Sequence, residues 1–432
     1  MLEIAVFIAL SIVLILLGFP LFVSFGIVGF GMMLTLDLNP GFAVPCIFTN
    51  LNSFVLMAIP FFIFAGGLMA AAGISERIVE FANSIIGRVK GGLGHVTIVS
   101  CALFGAISGS SSAAVASIGM ILLPQMERYG YKRGYATALI ACSGLLGQLI
   151  PPSIPMILFG MITGTSVAAC FLATALPGLL IILFYFAINY LYCRKRPEIQ
   201  VAERLPLKAT IKTIAASTRK AGSALLSPIL ILGGIYGGLF TPTEAGCVAA
   251  VYAVCVGVIN KKLTFKGFME AAEETASIEG AITFIICFIF VMSRIFTYER
   301  LPDAIANALF RLTDNRILLL LLINVFMLFM GMIMDDISAM LLAAPLLYPL
   351  FMKLGISPVQ MAAIMAVNQG SGQMTPPVAT NLFTAARVSG IPVTEFVKDC
   401  IPYLLFGSLP VMLMVTFIPE LSLWLPGFIM GL

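Results

Sequence analysis

Charged side chains are scarce in this 432-residue chain: Asp, Glu, Lys and Arg make up 10% of it, where soluble domains carry roughly 25%. That shortage excludes a soluble globular enzyme, a disordered chain and a nucleic-acid binder. Histidine occurs once, at His95, which leaves no material for a histidine proton relay. The nine cysteines are scattered through apolar runs, with no Cys-x-x-Cys pair and no Cys/His cluster. Neither a zinc site nor a disulfide framework is indicated, and the thiols read as small buried hydrophobes. No Gly-x-x-x-x-Gly-Lys-Ser/Thr loop is present to bind ATP. No Gly-x-Ser-x-Gly elbow is present either. An intramembrane serine protease built on the serine-rich stretch 108–112, with His95 as its base, is therefore a remote reading, and the chain is expected not to be an enzyme. The basic segment that precedes a cleavable signal is missing, so Glu3 to Leu17 reads as a first span.

What fills the chain instead is apolar. Sixty per cent of the residues are hydrophobic and the mean hydropathy is +1.07, which requires lipid around most of the surface. The fold class is an all-α polytopic membrane protein, with room for ten to twelve passes at about 20 residues each. Residues 3–36 form a run interrupted at Gly18-Phe19-Pro20, two helices and a tight turn. A span follows at 53–72. Ser75 to Arg88 is amphipathic, with Ile78, Phe81 and Ile85 on one face. From Gly92 to Gln125 the chain is apolar but broken at Ser108-Gly109-Ser110-Ser111-Ser112. The stretch 134–163 is broken at Gly147-Gln148-Leu149-Ile150-Pro151-Pro152. A span near 170–192 closes the first half.

The second half repeats these events. Gly147-Gln148-x-x-Pro151-Pro152 recurs as Gly372-Gln373-x-x-Pro376-Pro377, a shift of 225. The same shift carries Pro124 to Pro349, Gly130 to Gly355, Pro177 to Pro402, and Ser110-Ser111 onto Asp335-Asp336. Collinear matches at one offset over about 55 residues are the mark of an internal repeat. The organisation expected is a first repeat at 1–192, with scaffold helices at 1–90 and a hairpin and broken helix at 91–165. A basic linker at 193–221 follows. The second repeat covers 222–418, with scaffold helices at 222–315 and a hairpin and broken helix at 316–390, and a segment at 419–432 ends the chain.

Positive charge orients the halves. Arg194, Lys195, Arg196, Arg204, Lys208, Lys212, Arg219 and Lys220 crowd the linker, which makes it cytoplasmic. Counting passes outward, Arg77, Arg88, Lys90, Arg128, Lys132 and Arg133 fall on the same side only if 92–126 and 317–351 each enter and leave by one face. They are then re-entrant hairpins. The N- and C-termini lie in the periplasm, and the halves have opposite orientations: an inverted-topology repeat of about ten spanning helices plus two hairpins, the pattern of a secondary transporter.

Breaks inside a membrane expose N–H and C=O groups that lipid cannot satisfy, so they must be buried or line a wet cavity. Freed carbonyls with hydroxyl or carboxylate oxygens suit a hard cation such as Na⁺. Pairing tip with break inside each half gives two candidate cation sites. The first is Ser108, Gly109, Ser110 and Ser112 against Gly147 and Gln148. The second is Asp335 and Asp336 against Gly372, Gln373 and Thr375. A carboxylate at membrane depth costs roughly 2.5–3.5 kcal/mol, which favours a ligand role for the aspartates. Close packing of small residues is the bland account of the serines and glycines. Arg294, about one turn from the outer end of its helix, is either a clamp for a substrate carboxylate or a side chain snorkelling to the headgroups. Ser153, Thr380 and Asn381, next to the breaks, are the remaining candidates for substrate contact. Glu244, just after Thr241-Pro242, reads as an N-terminal helix carboxylate.

The paired Gly-Gln-x-x-Pro-Pro breaks, the stretch from Gly233 through Gly237-Gly238-Leu239-Phe240-Thr241-Pro242-Thr243-Glu244 to Ala245, and Thr375-Pro376-Pro377-Val378-x-x-Asn381-Leu382-Phe383 resemble the large membrane subunit (M, or DctM-like) of tripartite ATP-independent periplasmic (TRAP) transporters. The resemblance covers nearly the whole chain. It implies an elevator fold of the ion-transporter superfamily kind in a bacterial inner membrane, surrounded by lipid and moving an organic acid down a sodium gradient. It implies no cofactor beyond Na⁺ as coupling ion and no nucleic-acid partner. A small four-helix Q subunit and a periplasmic substrate-binding protein are the implied partners. Many dicarboxylate carriers of this family have an uncharged residue where Arg294 stands, so the arginine resembles the sialic-acid branch. A stand-alone sodium–dicarboxylate symporter shares the same hairpin logic and is the main alternative; a passive channel is a further one.

Overall fold

A computed structural model describes residues 2–201 and 206–431. Arg204, counted above among the basic linker residues, lies outside the described part. Among the described residues the secondary structure is helical, with no strand. The first half opens with α1 (Leu2–Leu16) and α2 (Leu21–Thr35), separated where Gly18 takes a φ of +88° and Pro20 cannot continue a helix. Then come a short α3 (Ala43–Leu51), α4 (Ala58–Ala71) and α5 (Ile74–Ile86). Helices α6 (Gly92–Ser108) and α7 (Ser111–Arg128) form a hairpin. Next are α8 (Arg133–Ser143), the single turn α9 (Leu146–Leu149) and α10 (Ile154–Thr163), one helix bent by 42° at its break. The half ends with α11 (Val167–Arg194).

The second half runs α12 (Leu207–Tyr236), α13 (Pro242–Ile259), α14 (Phe265–Tyr298) and α15 (Leu301–Leu312). A second hairpin follows, α16 (Arg316–Ile333) and α17 (Asp336–Lys353). After it come α18 (Pro358–Gly372), α19 (Thr380–Ser389), α20 (Val393–Tyr403), a wider turn at Leu404–Ser408, α21 (Leu409–Phe417) and α22 (Glu420–Met430). Polar side chains start many of these helices. Asn315, Ser357, Ser166 and Thr264 each accept from a backbone N–H in the first turn, satisfying a donor that lipid would leave bare. Thr241 and Glu244 do so reciprocally, a capping box, as the position of Glu244 after the turn suggests.

The repeat holds element by element. Shifting α7 by 225 gives the bounds of α17, and α10 maps onto α19 within a residue. The prolyl bonds 151–152 and 376–377 are both cis. The packing is reciprocal as well: α7 lies on α19 and α17 on α10; α8 on α20 and α18 on α11; α4 on α13 and α14 on α2. Reciprocal pairs of this kind are what a two-fold axis between the halves produces. Small residues let the scaffold helices close: Ala245, Gly246, Ala249 and Ala253 of α13 are buried, and Gly246 meets the backbone of Ala58 on α4. In lipid such close contact supplies the packing energy that burial from water supplies elsewhere.

Several expectations change. The polar stretch 193–221 is helical from Leu207 onward, continuous with the apolar part of α12; basic residues at a helix end are as compatible with helix as apolar ones. On α5 the buried face is Ile74, Ile78, Val79 and Ala82, while Ile85 is half exposed and Phe81 only partly covered. The reason is α12, which packs along α5 from a direction the local periodicity does not encode. Helix α3 adds an element before the span at 54–71. Seven described helices are long and apolar enough to cross a membrane, eight with the bent pair, and α1, α2, α3, α6 and α22 are shorter apolar helices.

Candidate ion and substrate site

At the first tip the chain turns at Gly109, whose φ of +65° ends α6, and Ser110 then starts α7 by accepting from Ala113 N–H at 3.4 Å. Its counterpart Asp335 starts α17 in the same way, accepting from Ile337 N–H at 3.3 Å. Both helix N-termini therefore open at the tips, where their N–H groups favour anions.

Tip and break meet within each half. Ile154 N–H at the first break donates to Gly109 O at 3.2 Å. Gly147 passes so close to the tip that a Cβ there would lie 2.6 Å from Ser110 O, and Gly105 and Gly147 meet backbone to backbone. In the second half Val378 and Ala379 N–H donate to Met332 O at 3.0 and 2.9 Å, and Gly372 packs on Gly331.

The two sites are joined. Ser111 Oγ lies 3.0 Å from Asp336 Oδ2 and 2.8 Å from Gln373 Oε1, two acceptors that share its single proton. Gln373 Nε2 in turn donates to Gln148 Oε1 at 3.4 Å, and Gln148 Nε2 to Ala366 O at 3.0 Å. Both hairpins and both breaks thus share one hydrogen-bonded junction. Ser111 is absent from the residues picked from sequence. The signal was its partner under the 225 shift, Asp336.

Several buried polar atoms on the elements that form the junction have no protein partner: Asn368 Oδ1, Gln369 Oε1, Ser153 Oγ, and both polar side-chain atoms of Asn381. Leaving such atoms unmet costs roughly 1–3 kcal/mol each. Asn368 and Gln369 also escaped the sequence reading; the apolar helices around them masked isolated polar positions. No lysine or arginine pairs with Asp335 or Asp336 among the described residues. Adjacent carboxylates, amide oxygens and carbonyls without a cation among the protein's own side chains make an oxygen-rich set suited to a hard monovalent ion.

The remaining candidates sort themselves by place. Ser108 is buried beside Gly66 of α4, and Ser112 contacts Ser110 side chain to side chain at 3.3 Å. Thr375 bonds back to Ser371 O at 3.0 Å. Ser153 and Asn381 are fully buried, the latter against Gly144 of α8, and Thr380 is partly covered. Arg294 stands apart from them: it is exposed on scaffold helix α14, near Cys46 of α3.

The sequence matches the family described as "Tripartite ATP-independent periplasmic transporter, DctM component" over residues 8–421. The chain belongs to the DctM family of TRAP transporter subunits. It is a multi-pass membrane permease component, a class of protein that is not an enzyme. Among its relatives is the sialic acid TRAP transporter large permease protein SiaM of Vibrio cholerae, 35% identical over 93% of this chain and 92% of that one. The C4-dicarboxylate TRAP transporter large permease protein DctM of Pseudomonas aeruginosa is 36% identical over 89% and 88%. The isethionate TRAP transporter permease protein DctMQ of Oleidesulfovibrio alaskensis is 35% identical over 95% of this chain and 64% of that one. The crystal structure of the Alcanivorax borkumensis YdaH transporter, described as having an unusual topology, shares the fold: TM-score 0.59, 17% identity, 87% and 88% coverage.

Proposed function

We propose that this DctM component moves an organic acid into the cell on a sodium gradient, with sialic acid the favoured substrate and a C4-dicarboxylate the next. The substrate arrives on a periplasmic binding protein, and a separate four-helix Q subunit completes the membrane part in a bacterial inner membrane, with both termini of this chain in the periplasm. The observation that carries the sodium reading is the junction of Ser111, Asp336, Gln373 and Gln148, with unmet oxygens on the elements that form it. A sodium ion there offsets one of the two charges of the aspartate pair and satisfies acceptors that otherwise cost stability. Ser108, Gly109, Ser110, Ser112, Gly147 and Gln148 on one side, and Asp335, Asp336, Gly372, Gln373 and Thr375 on the other, are the proposed ion ligands or their backbone supports. Arg294, on the scaffold, is proposed to take the substrate's anionic group on its way in, and Ser153, Thr380 and Asn381 are the proposed contacts once the substrate reaches the breaks. The motion proposed is an elevator, the two hairpins and broken helices sliding against the scaffold α1–α5 and α12–α15.

The test is reconstitution in liposomes of this chain with its small membrane subunit and a panel of binding proteins. Uptake of sialic acid and of succinate is measured with and without an inward sodium gradient. Uptake that needs both sodium and the binding protein is the expected result. Uptake by this chain alone, without a binding protein, would make it a stand-alone sodium–dicarboxylate symporter instead. Uptake indifferent to sodium would remove the coupling.

A further inference from the structure

A polar cavity lies between the scaffold and the broken helix, lined by none of the junction residues. It has a volume of about 470 Å³ and is lined by Thr49, Asn50, Asn52 and Ser53 at the end of α3, Phe290 of α14, and Met161 near the end of α10. Small-molecule sites fall in the range of roughly 300–1,000 Å³. Its wall is unusual for this chain. Four residues with amide or hydroxyl side chains line it within five positions of the chain, beside Phe54 and Ile162, in a protein where 60% of residues are hydrophobic.

Local bonds fix the wall. Cys46 Sγ contacts Phe290 O at 3.7 Å, which ties α3 to α14, and Asn50 Nδ2 donates to Cys46 O at 2.8 Å, one turn back. That leaves Asn50 Oδ1 free to accept. Arg294 lies one helical turn beyond Phe290, close enough to Cys46 for its charge to act on the thiol. It forms no ion pair among the described residues. Arg294 is not one of the lining residues; it follows the lining residue Phe290 by one turn on the same face of α14, on the side nearer the C-terminal end of that helix. Met161 is seven residues along α10 from Ile154, so the cavity sits roughly 10 Å from the first break.

We propose that this cavity is an outer subsite for a hydroxylated organic anion. Arg294 takes the carboxylate or sulfonate, and Asn50, Asn52, Ser53 and Thr49 read the hydroxyls. The inference rests on the transport function proposed above and gives it a basis for selectivity. Amides and hydroxyls both donate and accept, which matches substrate hydroxyls. A plain dicarboxylate has none to offer and leaves these groups to water. Because the cavity is walled by the scaffold on one side and by α10 on the other, its shape depends on how those two parts sit, so a substrate held here is released when they move.

The experiment uses the complete reconstituted transporter and compares sialic acid with succinate, each supplied on its binding protein. In the double variant Asn52→Ala/Ser53→Ala the half-saturating concentration for sialic acid rises about tenfold, the value for losing one to two hydrogen bonds, with the maximal rate within twofold. That for succinate does not move. Thr49→Val, at an exposed position and with its shape kept, shows the same selective rise. Unchanged half-saturation for sialic acid, or equal losses for both acids, would overturn the subsite. An unaltered transporter that moves succinate but no hydroxylated acid would overturn it too while leaving the transport function standing. An unaltered transporter that moves neither acid would overturn the transport function itself.

Discussion

Gln148 and Gln373 hold the same position in the two repeats and touch each other, Gln373 Nε2 to Gln148 Oε1 at 3.4 Å. Equivalent residues meet only where a two-fold axis passes between them, so this contact marks the axis inside the membrane. Ser111 and Asp336, also equivalent, mark a second point on it at 3.0 Å.

The glutamine pair should behave as one unit. Gln148→Ala and Gln373→Ala each remove a fully buried amide and strand its partner, at a cost of about 1–3 kcal/mol. The double variant is expected to lose less than the sum, by 0.5 kcal/mol or more. Thermal unfolding of the purified chain in nanodiscs gives the cycle; strict additivity would show that the contact carries no coupling.

Ser111 should matter to sodium, if less than Asp335 does. Ser111→Ala removes the hydroxyl that bridges Asp336 and Gln373. The sodium concentration for half-maximal uptake is expected to rise at least fivefold, and more than tenfold in Asp335→Ala, while copurification of the Q subunit is unaffected. A sodium dependence identical to the parent in both variants would place the ion elsewhere.

Close backbone approach makes Gly147 irreplaceable. A Cβ there would lie 2.6 Å from Ser110 O and 3.0 Å from Ser111 Cα, both rigid backbone. Gly147→Ala should push the first tip off the break and cut uptake more than tenfold. Gly222, on α12, has nothing within 4 Å of its added Cβ, so Gly222→Ala should leave both uptake and thermal stability near the parent. Similar losses in the two variants would contradict the packing at the tip.

One surface pair gives a pH signature. Lys353 Nζ lies 2.8 Å from Asp303 Oδ1 and joins α17 to α15. Its hydrogen bond and charge hold the Asp303 carboxyl below the usual carboxylate range. A lowered folded value stabilises above the ordinary value of about 3.9 and is lost as pH falls through the folded one. Melting temperature should therefore drop on acidification below about pH 4 by less in Asp303→Asn than in the parent. The difference should shrink in molar salt, because both side chains are solvent-exposed. Equal acid sensitivity at low ionic strength would count against the pair.

Much of the architecture was legible because two signals in the sequence are local and repeated. Apolar runs of spanning length require lipid, and Gly-Gln-x-x-Pro-Pro at a fixed offset requires two copies of one broken helix. Tight turns at Gly18 and Thr241-Pro242 follow from backbone chemistry alone, and α2 and α13 begin where those residues dictate. Other features were legible in neither case. The buried face of α5 depends on where α12 lies, and Ile85 is exposed although the periodicity alone makes it as good a core residue as Ile78.

The sequence by itself determined the solvent, the helical class, the repeat and the positions of the four breaks. Those follow from composition and from residues that restrict their own backbone. Only the tertiary structure decided that the two expected ion sites are one connected junction. Ser111 bonds partners 225 and 262 residues away, and no local pattern records which breaks the two-fold packing brings together. It decided as well that Arg294 lies near Cys46 of α3, since that depends on how α14 packs on α3 and not on the residues around the arginine.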